Sequence, residues 1–220
     1  MIDAIGQVLP LAVVVALSPA PIIAVVAVLL GPDARRRGAG LLAGRVVGVV
    51  LVVAVFTLFA EAIALIGVPP LVEALLQLVL GLGLAFVGVR KLARRSAAEP
   101  APPRWMASLE NLSAGRAFWF AVVLSIANPK ELAMGAATGL VIGGLIPNPG
   151  PALVVGLVYT IVAVLGVAVP VVAVAVMGER AQPLLTGIRG WLERNSAVLM
   201  AIVLLVFGAI LLGTGISGLA

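Results

Sequence analysis

The sequence contains no cysteine and no histidine. Without thiols there is no disulfide framework and no thiol redox relay. Without either residue the usual zinc sites and haem ligation through Cys or His are also excluded. No Ser/His pair and no metal-ligand cluster is left to run a hydrolysis, so neither enzymatic activity nor a metal or cofactor is expected. Charge is scarce too, at 10% of the chain. The surface of an ordinary soluble domain needs more than that.

What replaces charge is apolar surface. Hydrophobic residues make up 63% of the chain and the mean hydropathy is +1.27, too much to bury in one water-soluble core. The apolar stretches are continuous Val/Leu/Ala/Gly runs, and they repeatedly reach the roughly 20 residues that a helix needs to cross a bilayer. A transmembrane barrel would instead show alternating segments of about ten residues. The expected fold is therefore all-α, with six transmembrane helices at about residues 5–30, 39–65, 71–91, 115–144, 152–177 and 196–218. The first segment carries Asp3, has no basic stretch before it and lacks a cleavage site, so it reads as a retained helix.

Basic residues report orientation. Residues 31–37 hold three arginines, residues 90–116 hold most of the remaining bases, and residues 178–194 hold three more arginines. The two other connections, 66–70 and 146–151, hold none. The positive-inside rule places the three basic loops in the cytoplasm and both termini outside, and the bases are topogenic rather than a nucleic-acid surface. Arg90, Lys91, Arg94 and Arg95 also form a juxtamembrane cluster suited to anionic lipid headgroups. Trp105, Trp119 and Trp191 fall near the same cytoplasmic interfaces and read as aromatic anchors.

The polar, Pro-rich segment 92–114 divides the chain into residues 1–91 and 115–220, three helices each. Because each half holds an odd number of spans, the second enters the membrane with opposite orientation, as an inverted repeat. Ser18-Pro19 and Asn128-Pro129 stand half a chain length apart, and Gly44 and Gly156 nearly so. The third and sixth helices share glycine-rich second halves, with Gly81, Gly83 and Gly88 matched by Gly208, Gly213 and Gly215. Glycines so placed permit close helix packing.

The candidate site lies at the two prolines. Ser18-Pro19-Ala20-Pro21 and Asn128-Pro129 should each break a helix near mid-membrane and start a new one, with Ser18 and Asn128 as caps. Glu131 stands where a capping-box carboxylate returns to the cap's amide. Helix N-termini inside the bilayer offer free N–H groups and a positive dipole end to an anion. Arg45, Lys130 and Glu131 add charges that are expensive in hydrocarbon. Arg45 either lines the cavity or snorkels to the cytoplasmic interface. Glu131 either offsets Lys130 or pairs with Arg45 and leaves Lys130 for a ligand. Substrate binding is thus assigned to Ser18, Pro19, Pro21, Arg45, Asn128, Pro129, Lys130 and Glu131, with Glu131 and Glu61 as candidates for coupling.

With those residues in view, the chain resembles the lysine exporter (LysE) superfamily, whose members carry a Pro-containing first-helix motif and a later Asn-Pro-Lys, here Ser18-Pro19-Ala20-Pro21 and Asn128-Pro129-Lys130. Within it the chain looks most like the glycopeptidolipid-addressing and sulfolipid-addressing (GAP/Sap) proteins of actinobacterial envelopes. It departs from the amino-acid branch's Pro-Gly-Pro by having Ala20 between the prolines. The resemblance implies a multi-pass exporter of the bacterial plasma membrane that moves an anionic or amphiphilic envelope precursor of glycolipid type. Its partners would be membrane lipids and that substrate, with homo-oligomerisation left open. The alternatives are an amino-acid or small-solute exporter and a non-transporting accessory of glycolipid export.

Overall fold

The computed structural model describes residues 1–66, 69–93, 109 and 112–219, and among these every regular element is helical. Helix α1 spans Ile2–Ala16 and α2 spans Pro19–Leu30. Helices α3 (Ala34–Ile66), α4 (Pro70–Ala93), α5 (Ala114–Ala127), α6 (Pro129–Leu145) and α7 (Pro149–Met177) follow. A single 3₁₀ turn, Gly178–Ala181, leads into α8 (Gln182–Ser217). Most of the central linker, with Arg94, Arg95, the Pro-rich stretch and Trp105, lies outside the described residues.

These apolar helices mark a membrane protein. Residues 34–62 of α3 and 149–177 of α7 are each long and apolar enough to cross a bilayer. The pair α1 and α2, bent by 47° at its break, makes a third candidate if counted as one broken span. Two shorter apolar stretches are Ala114–Ala127 and Leu204–Ser217. Large apolar side chains point outward along these elements, Val176 at 78% exposure among them. Water would penalise such a surface and lipid does not.

Two compact units emerge from the contacts: Met1–Ala62 with Pro102–Trp191, and Ile63–Ala101 with Leu192–Ala220. In the first unit α1 packs on α6 and α7, and α2 on α7. Glycines seat α3. At Gly40 and Gly44 a Cβ would overlap the backbone carbonyls of Ala114 and Phe118, and at Gly48 it would meet the Ser125 side chain. Farther along, the notches switch sides. Gly135, Gly139 and Gly143 of α6 receive Val52, Phe56 and Thr57, and Ala60 of α3. Each set repeats every four residues, so it forms one helix face that lets two backbones approach, as small residues do where lipid supplies no hydrophobic drive.

The second unit uses the same device. Gly81 of α4 lies against Gly208 and Leu212, Gly88 against Ala201 and Leu205, and Gly215 against Ala74 and Leu78. Gly83 and Gly213 face open space. Close packing therefore falls to four of the six glycines expected to serve it.

Candidate functional site

Both expected breaks are present, and their caps have nearly the same backbone. Ser18 adopts φ −67° and ψ 118°, and Asn128 adopts φ −80° and ψ 109°. Each precedes a proline that opens the next helix, where a missing N–H costs least. The break at Ser18 has a traceable cause. Pro19 has no N–H for the Val15 carbonyl, and the Ser18 N–H turns to that carbonyl instead, at 3.1 Å. The Val14 carbonyl, which Ser18 would serve in an unbroken helix, loses its partner.

Lys130 supplies the replacement. Its Nζ donates to the Val14 carbonyl oxygen at 3.0 Å, bringing a cation to the C-terminal end of α1 where the helix dipole is negative. Lys130 is buried, and so is Ser18. The Asn128 side chain caps α6 as expected, its Oδ1 accepting from the Lys130 backbone N–H at 3.2 Å. The Ser18 hydroxyl makes no cap bond and is buried without a partner. Prolines at 19 and 21 leave Ala20 with the only N–H among the first three residues of α2, so that terminus has little to offer an anion.

Glu131 does not close a capping box. The Asn128 N–H is already taken by the Leu124 carbonyl, and the Glu131 carboxylate pairs with Arg45. Arg45 is 1% exposed, which excludes snorkelling. Its Nη1 donates to Glu131 Oε2 and also to Ser125 Oγ at 2.8 Å, while the Ser125 hydroxyl donates to the Ala121 carbonyl at 2.9 Å. Of the two pairings open in the sequence, the structure has Arg45 with Glu131, and Lys130 on a backbone carbonyl. Arg45 Nε, Arg45 Nη2 and Glu131 Oε1 remain buried without partners. Each such group forfeits about 1–3 kcal/mol of hydrogen bonding.

Beside the pair lies a cavity of about 10 Å³, room for roughly one water molecule, lined by Val15, Val49, Val52, Ser125, Glu131, Gly135 and Tyr159. Tyr159, which lines the cavity, is fully buried, as is Thr138. Pro21 is buried in α2 and Pro129 is exposed at the start of α6. Glu61 is exposed and lies sixteen residues along α3 from Arg45, about 24 Å away at the helical rise. The structure thus gathers Arg45, Glu131, Lys130 and Asn128 and leaves Glu61 apart. No group of three or more acidic side chains suited to a metal ion occurs among the described residues.

Sequence reasoning missed Ser125, Thr138, Tyr159 and the Val14 carbonyl. A signal existed for the first three: they are polar side chains inside otherwise apolar runs, and Tyr159 is the sole tyrosine in the chain. None existed for Val14, whose contribution is a backbone oxygen.

A family model described as Sap, sulfolipid-1-addressing protein, matches residues 8–217. No curated protein and no solved structure matches the chain.

Proposed function

The chain belongs to the sulfolipid-1-addressing protein (Sap) family, and we propose that it carries an anionic or amphiphilic envelope precursor of glycolipid type outward across the bacterial plasma membrane by alternating access. The observation that carries this reading is the buried Arg45–Glu131 pair next to Lys130, at the point where Asn128-Pro129 breaks one helix and Lys130 reaches the break in another. Buried charge inside a membrane helix costs about 2.5–3.5 kcal/mol per basic residue on insertion scales. A purely structural bundle has no need of it. Half-helices meeting near the midplane are also how secondary transporters build substrate sites.

Six crossings are part of the proposal: α1 with α2, α3, α4, α5 with α6, α7, and the C-terminal half of α8. The inverted repeat is supported by the matched caps at Ser18 and Asn128 and by the make-up of the two units. Each unit draws corresponding helices from both halves of the chain: first, second, fourth and fifth in one, third and sixth in the other. A place in the wider lysine exporter superfamily is the same kind of reading, resting on Asn128-Pro129-Lys130 and the first-helix prolines.

The test is outward movement of a fluorescent anionic glycolipid in reconstituted vesicles, scored by quenching from the outside. Wild-type protein should accelerate movement, and Lys130→Ala should abolish it while expression and melting temperature stay measurable. Unchanged flux in the variant overturns the reading. The alternative reading, export of an amino acid or other small solute, is separated from this one by an amino-acid efflux assay in the same vesicles.

A further inference from the structure

We infer that the Nε–Nη2 edge of Arg45 is a receptor for one oxoanion group (sulfate, phosphate or carboxylate) bound through two of its oxygens. A guanidinium has five N–H bonds, and here both hydrogens of Nη1 are committed, one to Ser125 and one to Glu131. The other three, on Nε and Nη2, have no partner although the side chain is 99% buried, from its 1% exposure. Those two nitrogens form one side of the planar fork, the geometry that meets two oxygens of a carboxylate or tetrahedral oxoanion with parallel hydrogen bonds.

The committed side explains why the free side holds its place. Ser125 is itself anchored to the Ala121 carbonyl and Glu131 is carried by α6, so the guanidinium is held at one nitrogen, Nη1, while Nε and Nη2 go without partners. Glu131 and Ser125 are positioning residues and need not leave for the ligand to bind. Gly44, next to Arg45, sits against the Phe118 backbone and Gly48 against Ser125, which fixes α3 at the depth where the edge lies. Lys130 adds a second positive charge to the site, which therefore carries one net positive charge with Glu131 ionised. The cavity beside the pair is too small for an oxoanion and is lined by Ser125 and Glu131 but not by Arg45, so binding requires the side chains over the Nε–Nη2 edge to move aside while Ser125 and Glu131 keep hold of Nη1.

This deepens the export reading by naming the atoms that select the substrate's charged group, and binding can be measured without transport. The experiment is calorimetric titration of the full chain in nanodiscs with inorganic sulfate, inorganic phosphate, acetate and, below its micellar concentration, octyl sulfate. Arg45→Lys keeps the charge and loses the fork, so it should weaken binding of the best anion by about tenfold or more. Glu131→Gln removes a neighbouring negative charge and keeps an acceptor for Nη1, so it should tighten binding by about tenfold. That gain cannot come from misfolding.

Octyl sulfate binding far more tightly than sulfate assigns the group to an amphiphile's head, and equal constants assign it to a free ion. Absence of anion binding in the wild type, or an unchanged constant in Arg45→Lys, overturns the inference. Should Arg45→Lys not fold, an unchanged or weaker constant in Glu131→Gln overturns it. Anion binding through Arg45 without glycolipid movement would leave the receptor standing and remove the export reading, and movement with no Arg45-dependent binding would do the reverse.

Discussion

The two helix breaks share a backbone geometry and differ in everything their side chains do. At Asn128 the cap side chain is bonded, the next residue is a lysine, and the one after is a glutamate paired across to α3. At Ser18 the cap hydroxyl is buried and unbonded, prolines at 19 and 21 remove the donors, and the main product is a stranded acceptor at Val14. One break is charged and the other is a docking point for that charge. A helix break in a membrane is thus a local event with two separable consequences: freed donors on the new helix and freed acceptors on the old. This protein uses the acceptors of the first break and the charges of the second.

The largest expected effect falls on the charged break. Arg45→Ala or Glu131→Ala leaves an uncompensated buried charge and should cost about 3–5 kcal/mol, read as a large drop in melting temperature in detergent. The double change Arg45→Met with Glu131→Leu should recover much of that stability. A double variant no more stable than the singles would show that the two side chains do not act as a unit.

Lys130→Ala is next. It returns the Val14 carbonyl to an unbonded state and should cost about 1–3 kcal/mol, with faster amide exchange at Ser18 than in the wild type. Equal exchange rates would mean that the lysine does not hold the first break.

The caps themselves differ least in energy and most in sign of evidence. Asn128→Ala removes a real cap bond and should cost about 1 kcal/mol. Ser18→Ala removes a hydroxyl that makes none and should be neutral or slightly stabilising. Equal losses in the two would erase the asymmetry between the breaks.

Much of this site was legible in the chain. The prolines at 19, 21 and 129, and the charges at 45, 130 and 131, stand out because the surroundings are apolar, and in hydrocarbon every exception costs energy. Of the glycines that seat α3 on its neighbours only Gly44 stood out, as the counterpart of Gly156, although the four-residue spacing of 40, 44 and 48 and of 135, 139 and 143 defines helix faces. The partner of Glu131 was not legible. A carboxylate beside Lys130 in sequence projects from α6 about 100° away from it, so neighbours along a helix are not neighbours in space. Whether it meets Arg45 depends on how α3 is rotated and how far it is inserted.

That the chain is apolar and helical, where its helices break, and which few charges its interior must accommodate can all be read from the order of its residues. Those properties follow from local chemistry: proline lacks an N–H, and a run of apolar side chains is long enough or it is not. The burial of Arg45 with Glu131 and Ser125, the bond from Lys130 to Val14, and the three N–H bonds of Arg45 left over come from packing alone. Those depend on the approach of α3 to α5 and α6 and of α1 to α6, which glycine notches and freed carbonyls bring about together and no single segment encodes.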